Sequence, residues 1–502
     1  MLINRRCHYL EVSVVVPVQN EEHTISQVLG ELRKIQPKEI ILVLNGSNDK
    51  TGEIAKNYGC KIIYYEEALG NDIGRAIGAK HCTGDCILFV DGDIKVQYKE
   101  LQHFINAIRE GFDVALNDLS LLANSKSRPH FTTVSKIAVN EYLHQSELSL
   151  NSLLAVPHAL SKNAINSIGW KNLADPILAQ AIAVAKGLRI CAPTTVDVIT
   201  TNRIRPIHVQ LDERSGFAKT TSRIIGDHLR AIRYIVDTYG PRGAFKSSTK
   251  NRQKLYKLIS PKSKKDIKYS AVIMLSEHGN KLEATLKEVK TAGVEEVIVI
   301  GNKNDINSKM GAITNFNSIQ IIECENNSFF SIALTIGSRH SNANICVFLE
   351  ENNSITSKEI KSLLQSIESG AGISLFERKQ LLETDKAPDS VSIGQYFINM
   401  CISKPELLNN GLSTFPFAIN NLKISEFIEE EYHCNSTLVF LKAMLADVKV
   451  DVINQPHWAQ IINNKMQNEE ILGDQLEALT FLLNITNERG GFTDGGRRRG
   501  FL

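Results

Sequence analysis

The chain of 502 residues is 43% hydrophobic and 22% charged, the balance of a folded globular protein, which excludes wholesale disorder and collagen-like or coiled-coil architectures. Lys and Arg number 57 against 55 Asp and Glu, and the formal charge of +2 gives no global field to draw nucleic acid or anionic lipid. The length corresponds to about three ordinary domains or two larger α/β ones.

The opening Met1-Leu2-Ile3-Asn4-Arg5-Arg6 is charged with no apolar segment behind it, and no run of about 18 apolar residues follows anywhere. Neither a secretion signal nor a membrane span is expected. Nine cysteines, sparse and irregularly spaced, do not form a disulfide framework and fit a reducing, cytoplasmic setting. Cys82 and Cys86 lack a second Cys pair or a His cluster to complete a zinc set, so they read as packing residues.

From the start of the chain, Val12 to Val18 is a β-rich apolar run, Ile25, Val28, Leu29 and Leu32 recur at helical spacing, and Glu39 to Leu44 is a second apolar run. Lys61 to Tyr65 and Cys86 to Val90 are further strands, with a helix from about Ile73 to His81 between them. Such alternation calls for a mainly parallel, doubly wound sheet with helices on both faces and a ligand site at the carboxyl ends of the strands.

The second half repeats the first. Ser13-Val14-Val15-Val16 corresponds to Ser270-Ala271-Val272-Ile273, and Glu39 to Val43 corresponds to Glu296 to Ile300, both at a shift of 257 residues. Ile77-Gly78-Ala79-Lys80-His81 meets Ile336-Gly337-Ser338-Arg339-His340 at a shift of 259. Gly226-Asp227-His228-Leu229 meets Gly473-Asp474-Gln475-Leu476, and Arg242-Gly243-Ala244-Phe245 meets Arg489-Gly490-Gly491-Phe492. Tandem duplication of a unit of about 240 residues is the expectation, joined near the Lys/Ser/Pro-rich Ser260 to Lys265. The domains follow as residues 1–257, a linker at 258–267, a second domain at 268–489, and a flexible Gly/Arg-rich tail at 490–502 that is either disordered or a strap for ligand phosphates. Each half closes with an amphipathic helix, Ile224, Leu229, Ile232, Ile235 and Val236 in one, Ile471, Leu476, Leu479, Leu482 and Leu483 in the other, read as packing faces.

The strongest chemical signal is Ile87-Leu88-Phe89-Val90-Asp91-Gly92-Asp93, a strand ending in two carboxylates. Hard oxygen donors there suit Mg²⁺ or Mn²⁺, and such an ion can join the protein to a diphosphate that the carboxylates alone would repel. Pro17-Val18-Gln19-Asn20-Glu21-Glu22 ends the first strand, Asn45-Gly46-Ser47-Asn48-Asp49 ends the second, and Gly70-Asn71-Asp72-Ile73-Gly74-Arg75 opens the helix before the Asp-Gly-Asp strand. In this order the four elements, between about Val12 and His208, resemble family 2 glycosyltransferases of the GT-A fold.

The resemblance implies two GT-A-like, nucleotide-diphospho-sugar transferase domains in an α/β protein. It implies that Pro17, Asn20 and Glu22 border the nucleoside, that Asn45 stands where many relatives place an aspartate facing the base or ribose, and that Gly74 and Arg75 approach the diphosphate. Asp91 and Asp93 would hold Mn²⁺ or Mg²⁺, Asp91 also lying against the donor. Ser167-Ile168-Gly169-Trp170-Lys171-Asn172-Leu173-Ala174-Asp175-Pro176 looks like the acceptor-side segment, in which Asp175 is the general base; the residues alone read equally as a helix N-cap before Pro176. Arg203, Arg205 and His208 would complete a lid and the metal site.

In the second half Asp91-Gly92-Asp93 becomes Glu350-Glu351-Asn352, Arg75 becomes Leu334, Pro17 becomes Met274 and Asp175 becomes Cys434. The expectation is a catalytic first half and a degenerate second half, acting as a built-in pseudo-dimer partner or an acceptor-recognition module. The function expected is metal-dependent transfer of a sugar from a nucleotide-sugar, a UDP-sugar first, to the hydroxyl of a glycan or a small phosphorylated acceptor. Inversion is favoured and retention stays open. The rivals are a nucleotidyltransferase, for which no glycine-rich, lysine-bearing loop is present near the first strand, and a non-catalytic nucleotide-sugar-binding scaffold.

Overall fold

The computed structural model describes residues 10–120, 128–198, 209–245, 256–258, 267–276, 279–313, 318–324, 330–384, 388–428, 435–454 and 465–502. The chain forms two compact units, the first from residues 1–125, 129–238 and 483–502, the second from 239–482 with 126–128.

The first unit begins β1 (Val12–Val18), α1 (Ile25–Lys34), β2 (Glu39–Asn45), α2 (Thr51–Asn57), β3 (Lys61–Tyr65), α3 (Asn71–Lys80), β4 (Cys86–Phe89) and α4 (Tyr98–Arg109). It continues β5 (Val114–Asn117), α5 (Phe131–Tyr142), β6 (His158–Ser161), α6 (Lys162–Ile168), α7 (Pro176–Ala185), β7 (Ile190–Thr194) and α8 (Lys219–Tyr239). The sheet order is β3-β2-β1-β4-β6-β5-β7, parallel except at β6, which runs antiparallel to β4 and β5.

β1 is buried along its whole length, as a central strand covered on both faces must be. Val14 and Val16 pack with Leu29 of α1 and Phe104 of α4 on one face, while Val15, Ile41 and Val43 pack with Ile73 and Ile77 of α3 and Ile165 of α6 on the other. This two-residue alternation of side is the pleat at work. Cys82 and Cys86 are packing residues as expected, and burial pushes both thiols up to about 12.

The second unit runs β8 (Tyr256–Leu258), β9 (Ile267–Met274), α9 (Leu282–Thr291), β10 (Glu296–Gly301), α10 (Lys303–Ile313), β11 (Ile319–Cys324), α11 (Phe330–His340) and β12 (Ala343–Glu350). Then come α12 (Ser357–Glu368), β13 (Ile373–Phe376), α13 (Ser390–Cys401), β14 (Phe417–Asn420), α14 (Asn421–Ile424), α15 (Ser436–Leu445), β15 (Val450–Ile453) and α16 (Lys465–Ile485). Its sheet order is β15-β13-β14-β12-β9-β10-β11-β8. With the edge strand β8 set aside, that is the order of the first sheet, strand for strand.

Two boundaries differ from the sequence expectation. Residues 256–258 pair antiparallel with β11, so the second unit already includes residues assigned to the first domain and its linker. The segment 483–502, predicted to end the second domain and trail away, belongs to the first unit instead.

Candidate functional site

Asp91 and Asp93 stand just past the carboxyl end of β4, half-buried, beside the loops that leave β1 and β2. Gly92 between them is obligatory for packing: a Cβ there would lie 2.3 Å from Val18 Cγ1, so the close approach it permits is to β1 rather than to a ligand. Thr24 Oγ1 donates to the Gly92 carbonyl at 3.0 Å, tying the turn to the start of α1.

Arg75, on α3, is buried and holds two carboxylates. Its Nη1 donates to Asp72 Oδ1 and its Nη2 to Asp91 Oδ1, both at 2.7 Å. The other oxygen of Asp91 takes no hydrogen bond from the described residues.

The remaining partners come from the far end of the sequence. Arg497, whose side chain is 1% exposed, donates to Asp72 Oδ2 from Nε at 3.0 Å and from Nη2 at 2.7 Å. It also forks onto Asp227 of α8, Nη1 to Oδ1 at 2.7 Å and Nη2 to Oδ2 at 2.6 Å. Arg489 Nη1 shares Asp227 Oδ1 at 2.7 Å, and Asp494 accepts from Arg497 and Arg499. The Gly/Arg-rich segment, which composition predicts to be flexible, is thus a built part of the first unit. The buried arginines are stable here because each is paired with a buried or half-buried carboxylate, Arg497 with Asp227 in a fork. Burial, the largest influence on Asp72, favours its neutral acid, but Arg497 and then Arg75 outweigh it and hold the carboxyl well below the usual range.

Asp175 precedes α7 with Pro176 in the first turn, yet its side chain makes no capping hydrogen bond. Oδ2 accepts from Arg230 Nη1 at 3.1 Å and from Arg499 Nη2 at 3.3 Å, while Oδ1 is buried without a partner. Burial first, and the neighbouring Asp227 second, push its carboxyl up to about 7 against the pull of the arginines.

The residues expected at a nucleoside are distributed differently. Asn20 and Glu22 lie on the loop after β1 and are stitched to the loop after β2: Asn48 N–H donates to Asn20 Oδ1 at 2.9 Å and Lys50 N–H to Glu22 Oε2 at 3.1 Å. Asn45 is fully buried at the end of β2, its Oδ1 accepting from the Leu69 N–H and its Nδ2 left without a partner. Pro17 is buried within β1 and faces α3, where a Cβ on Gly74 would fall 2.9 Å from Pro17 Cβ. Pro17 and Gly74 therefore meet in a helix–sheet contact. Arg203, Arg205 and His208 lie outside the described residues.

The donor set at Asp91 and Asp93 is chemically suited to a hard divalent cation, with one Asp91 oxygen anchored by Arg75 and the other unengaged. Among the described residues no group of three or more His, Cys, Asp or Glu gathers for a metal. Two protein carboxylates fit an ion that takes its other ligands from a phosphorylated substrate and water. A cleft of about 870 Å³ opens elsewhere in the same unit, between residues 210–219 and 493–496, with Arg214, Lys219 and Asp494 on its walls.

In the second unit the corresponding turn is closed by charge. Glu351, at the position of Gly92, is fully buried, with Oε2 accepting from Lys309 Nζ at 2.6 Å and from the Ser276 N–H at 3.1 Å. Burial, then the adjacent Glu351, raises the carboxyl of Glu350. Leu334, in place of Arg75, is part of an apolar cluster.

Sequence reasoning missed Asp72, Asp227, Arg230, Arg497 and Arg499 as site residues. A signal for Asp227 lay in its expected correspondence with Asp474, and of Arg489 with Arg242; Arg242 donates to Asp474 within the second unit as Arg489 does to Asp227 within the first.

Comparison with known proteins bears on the first unit. Residues 13–151 match the model of glycosyl transferase family 2, which makes this segment a glycosyltransferase domain. An uncharacterized protein of Methanocaldococcus jannaschii is 31% identical over 137 residues, 26% of this chain and 56% of that protein. Glucosyl-3-phosphoglycerate synthase of Petrotoga mobilis is 29% identical over 140 residues, 24% of this chain and 42% of the relative. The chain thus spans about half the length of these relatives. Among solved structures, the Mycobacterium tuberculosis glucosyl-3-phosphoglycerate synthase with Mn²⁺, UDP-glucose and phosphoglyceric acid is 18% identical, with a TM-score of 0.35 over 44% of this chain and 79% of that one. Among the described residues no helix is long and apolar enough to cross a membrane.

Proposed function

We propose that the first unit transfers a sugar from a nucleotide-sugar, a UDP-sugar first, to the hydroxyl of an acceptor, and that the second unit is a degenerate copy of the same fold. The observation that carries this reading is the anchoring of Asp91 at the end of β4 by the buried Arg75, inside a segment that matches family 2.

Asp91 and Asp93 would bind Mn²⁺ or Mg²⁺, which when bound neutralises negative charge on the departing nucleoside diphosphate. Arg75 orients Asp91 and adds positive charge beside the same diphosphate. Asn45, with its oxygen already engaged by Leu69, offers its orphaned amide N–H to the nucleoside. Asp175 takes the acceptor hydroxyl proton as the acceptor oxygen bonds to the anomeric carbon. The bond to the diphosphate breaks and its electron pair leaves with that group, which inverts the anomeric centre. A carboxyl titrating near 7 suits this role, because a general base works best close to the ambient pH. A small phosphorylated molecule is the acceptor class proposed, a glycan being the alternative. The name of the Petrotoga mobilis relative fits the same class.

Tandem duplication is supported by the shared strand order and by the paired Asp227–Arg489 and Asp474–Arg242 contacts. The ion pair of Glu351 and Lys309, where the first unit has Gly92 in the acidic turn, supports loss of chemistry in the second copy. A fused dimer in which that copy serves as a partner is the natural origin of such a chain.

Calorimetric titration with UDP and GDP, with and without Mn²⁺, tests the reading in wild type and in the Asp91→Ala/Asp93→Ala variant. Metal-dependent binding that disappears in the variant is expected. A folded wild-type protein that binds neither nucleotide under either condition would make a non-catalytic scaffold the better account.

A further inference from the structure

We propose that Arg497 is a positioning residue for the donor site: by occupying Oδ2 of Asp72 it leaves Arg75 one terminal nitrogen, Nη2, with which to hold Asp91. This rests on the reading of Asp91 and Asp93 as the donor and metal site.

Three buried groups form a series. Asp72 receives Arg497 on Oδ2 through two hydrogen bonds, at 3.0 and 2.7 Å, and Arg75 on Oδ1 through one, at 2.7 Å. The second terminal nitrogen of Arg75 reaches Asp91 Oδ1, also at 2.7 Å. Arginine and carboxylate prefer a fork in which two parallel N–H groups meet both oxygens. Were Asp72 free of Arg497, its two oxygens would be open to both terminal nitrogens of Arg75, since the two side chains already touch one turn apart on α3. That exchange would draw Nη2 away from Asp91. Engagement of Oδ2 by Arg497 blocks the fork and fixes the plane of the Asp72 carboxylate. The single Arg75 contact to Asp91 follows, and it leaves one Asp91 oxygen for a cation.

Arg497 is itself fixed from the opposite side. Asp227, fully buried on α8, accepts its second fork at 2.7 and 2.6 Å. Lysine cannot reproduce this arrangement, because a single ammonium cannot serve two carboxylates in two planes at once. Arg498, the next residue, is largely exposed and pairs with the exposed Glu67, so it shares the backbone of the segment without sharing the series.

The test is calorimetric titration of UDP with and without Mn²⁺ on the full chain, comparing wild type, Arg497→Lys, Asp72→Asn and Arg498→Ala, alongside thermal melts. In Arg497→Lys the Mn²⁺-dependent affinity for UDP should fall about ten-fold or more, well below the melting temperature, while Arg498→Ala stays within about two-fold of wild type. A merely structural strap would lower the melting temperature and leave the enhancement by Mn²⁺ intact. Folded Arg497→Lys with UDP affinity within about two-fold of wild type at saturating Mn²⁺ overturns the proposal. Should that variant not fold, Asp72→Asn carries the same two outcomes, as it keeps the side-chain shape and removes the charge between the two arginines. If wild type itself binds neither UDP nor GDP, the donor-site reading has failed and this proposal falls with it; failure confined to the variants overturns the positioning role alone.

Discussion

Arg497 and Asp72 are 425 positions apart in sequence and meet through two hydrogen bonds, at 3.0 and 2.7 Å. The acidic turn at Asp91 is joined to this pair through two further ion pairs, Asp72–Arg75 and Arg75–Asp91. Folding of this site is a long-range event, and the arginines and aspartates that join it are buried too deeply to be exchanged for water without cost.

Asp175→Asn separates chemistry from binding. The variant should lose turnover by about 10²- to 10⁴-fold with the donor KM little changed, as expected when a general base is removed. Steady-state kinetics with a UDP-sugar and a phosphorylated acceptor read this directly.

The same residue sets a pH trend in stability. Asp175 holds its proton up to about 7 in the folded chain, whereas an unfolded aspartate releases it near about 3.9. Between those values the folded state binds more protons, so the stabilisation is full below the unfolded value and is lost as pH rises through about 7. Asp72 has the opposite sign: its carboxyl is held low, and its contribution is present above the unfolded value and lost as pH falls through the folded one. Urea melts of wild type and Asp175→Asn between pH 5 and 8 should show the variant gaining on wild type as pH rises, by the linkage relation. Parallel curves would assign Asp175 an ordinary carboxyl.

Arg75→Met leaves Asp91 without its cation and breaks one side of a buried pair. A loss of about 3–5 kcal/mol is expected in chemical denaturation, since the cost of stranding a buried charge exceeds that of a surface pair. Metal-dependent nucleotide affinity should fall with it, and Arg75→Lys should recover stability in part but not the Asp91 contact.

Gly78→Ala tests the helix–sheet contact behind the site. A Cβ at this position would stand 2.3 Å from Val15 Cγ1, so α3 must shift off β1. Overpacking of this kind costs about 1–3 kcal/mol. The melting temperature should drop, while nucleotide affinity of the folded fraction stays within about two-fold if α3 retreats without breaking the Arg75 contacts.

Lys309→Met strands the buried Glu351 in the second unit. Destabilisation of about 3–5 kcal/mol is expected, largely recovered in the Lys309→Met/Glu351→Leu double variant, because a buried pair replaced by apolar groups is close to neutral. Nucleotide binding should not change in the double variant; if it does, the second unit takes part in donor binding.

Much of the framework was legible in the sequence. The runs at Val12–Val18 and Glu39–Asn45 form the strands expected, because apolar β-rich segments flanked by polar turns have no other way to bury both faces, and Lys61–Tyr65 forms the half-exposed edge strand β3. Asp91 and Asp93 were legible for the same reason: a strand must end where its apolar run ends, and the next polar residues lie at the sheet's edge. What Pro17 and Gly74 pack against was not legible, since a proline or glycine beside a loop looks the same in sequence whether it meets a ligand or a neighbouring element. Here they meet each other.

The sequence by itself determined the early strands and helices and the acidic turn, which follow from local polarity and period. Tertiary structure alone decided what surrounds the acidic turn and Asp175. A glycine-rich segment with three consecutive arginines has the composition of a solvated tail, and nothing local distinguishes it from one. Arg497 is buried and Arg499 half-buried because Asp72, Asp175 and Asp227, brought together by α3, α7 and α8, form a concentration of negative charge that cannot remain inside the fold uncompensated.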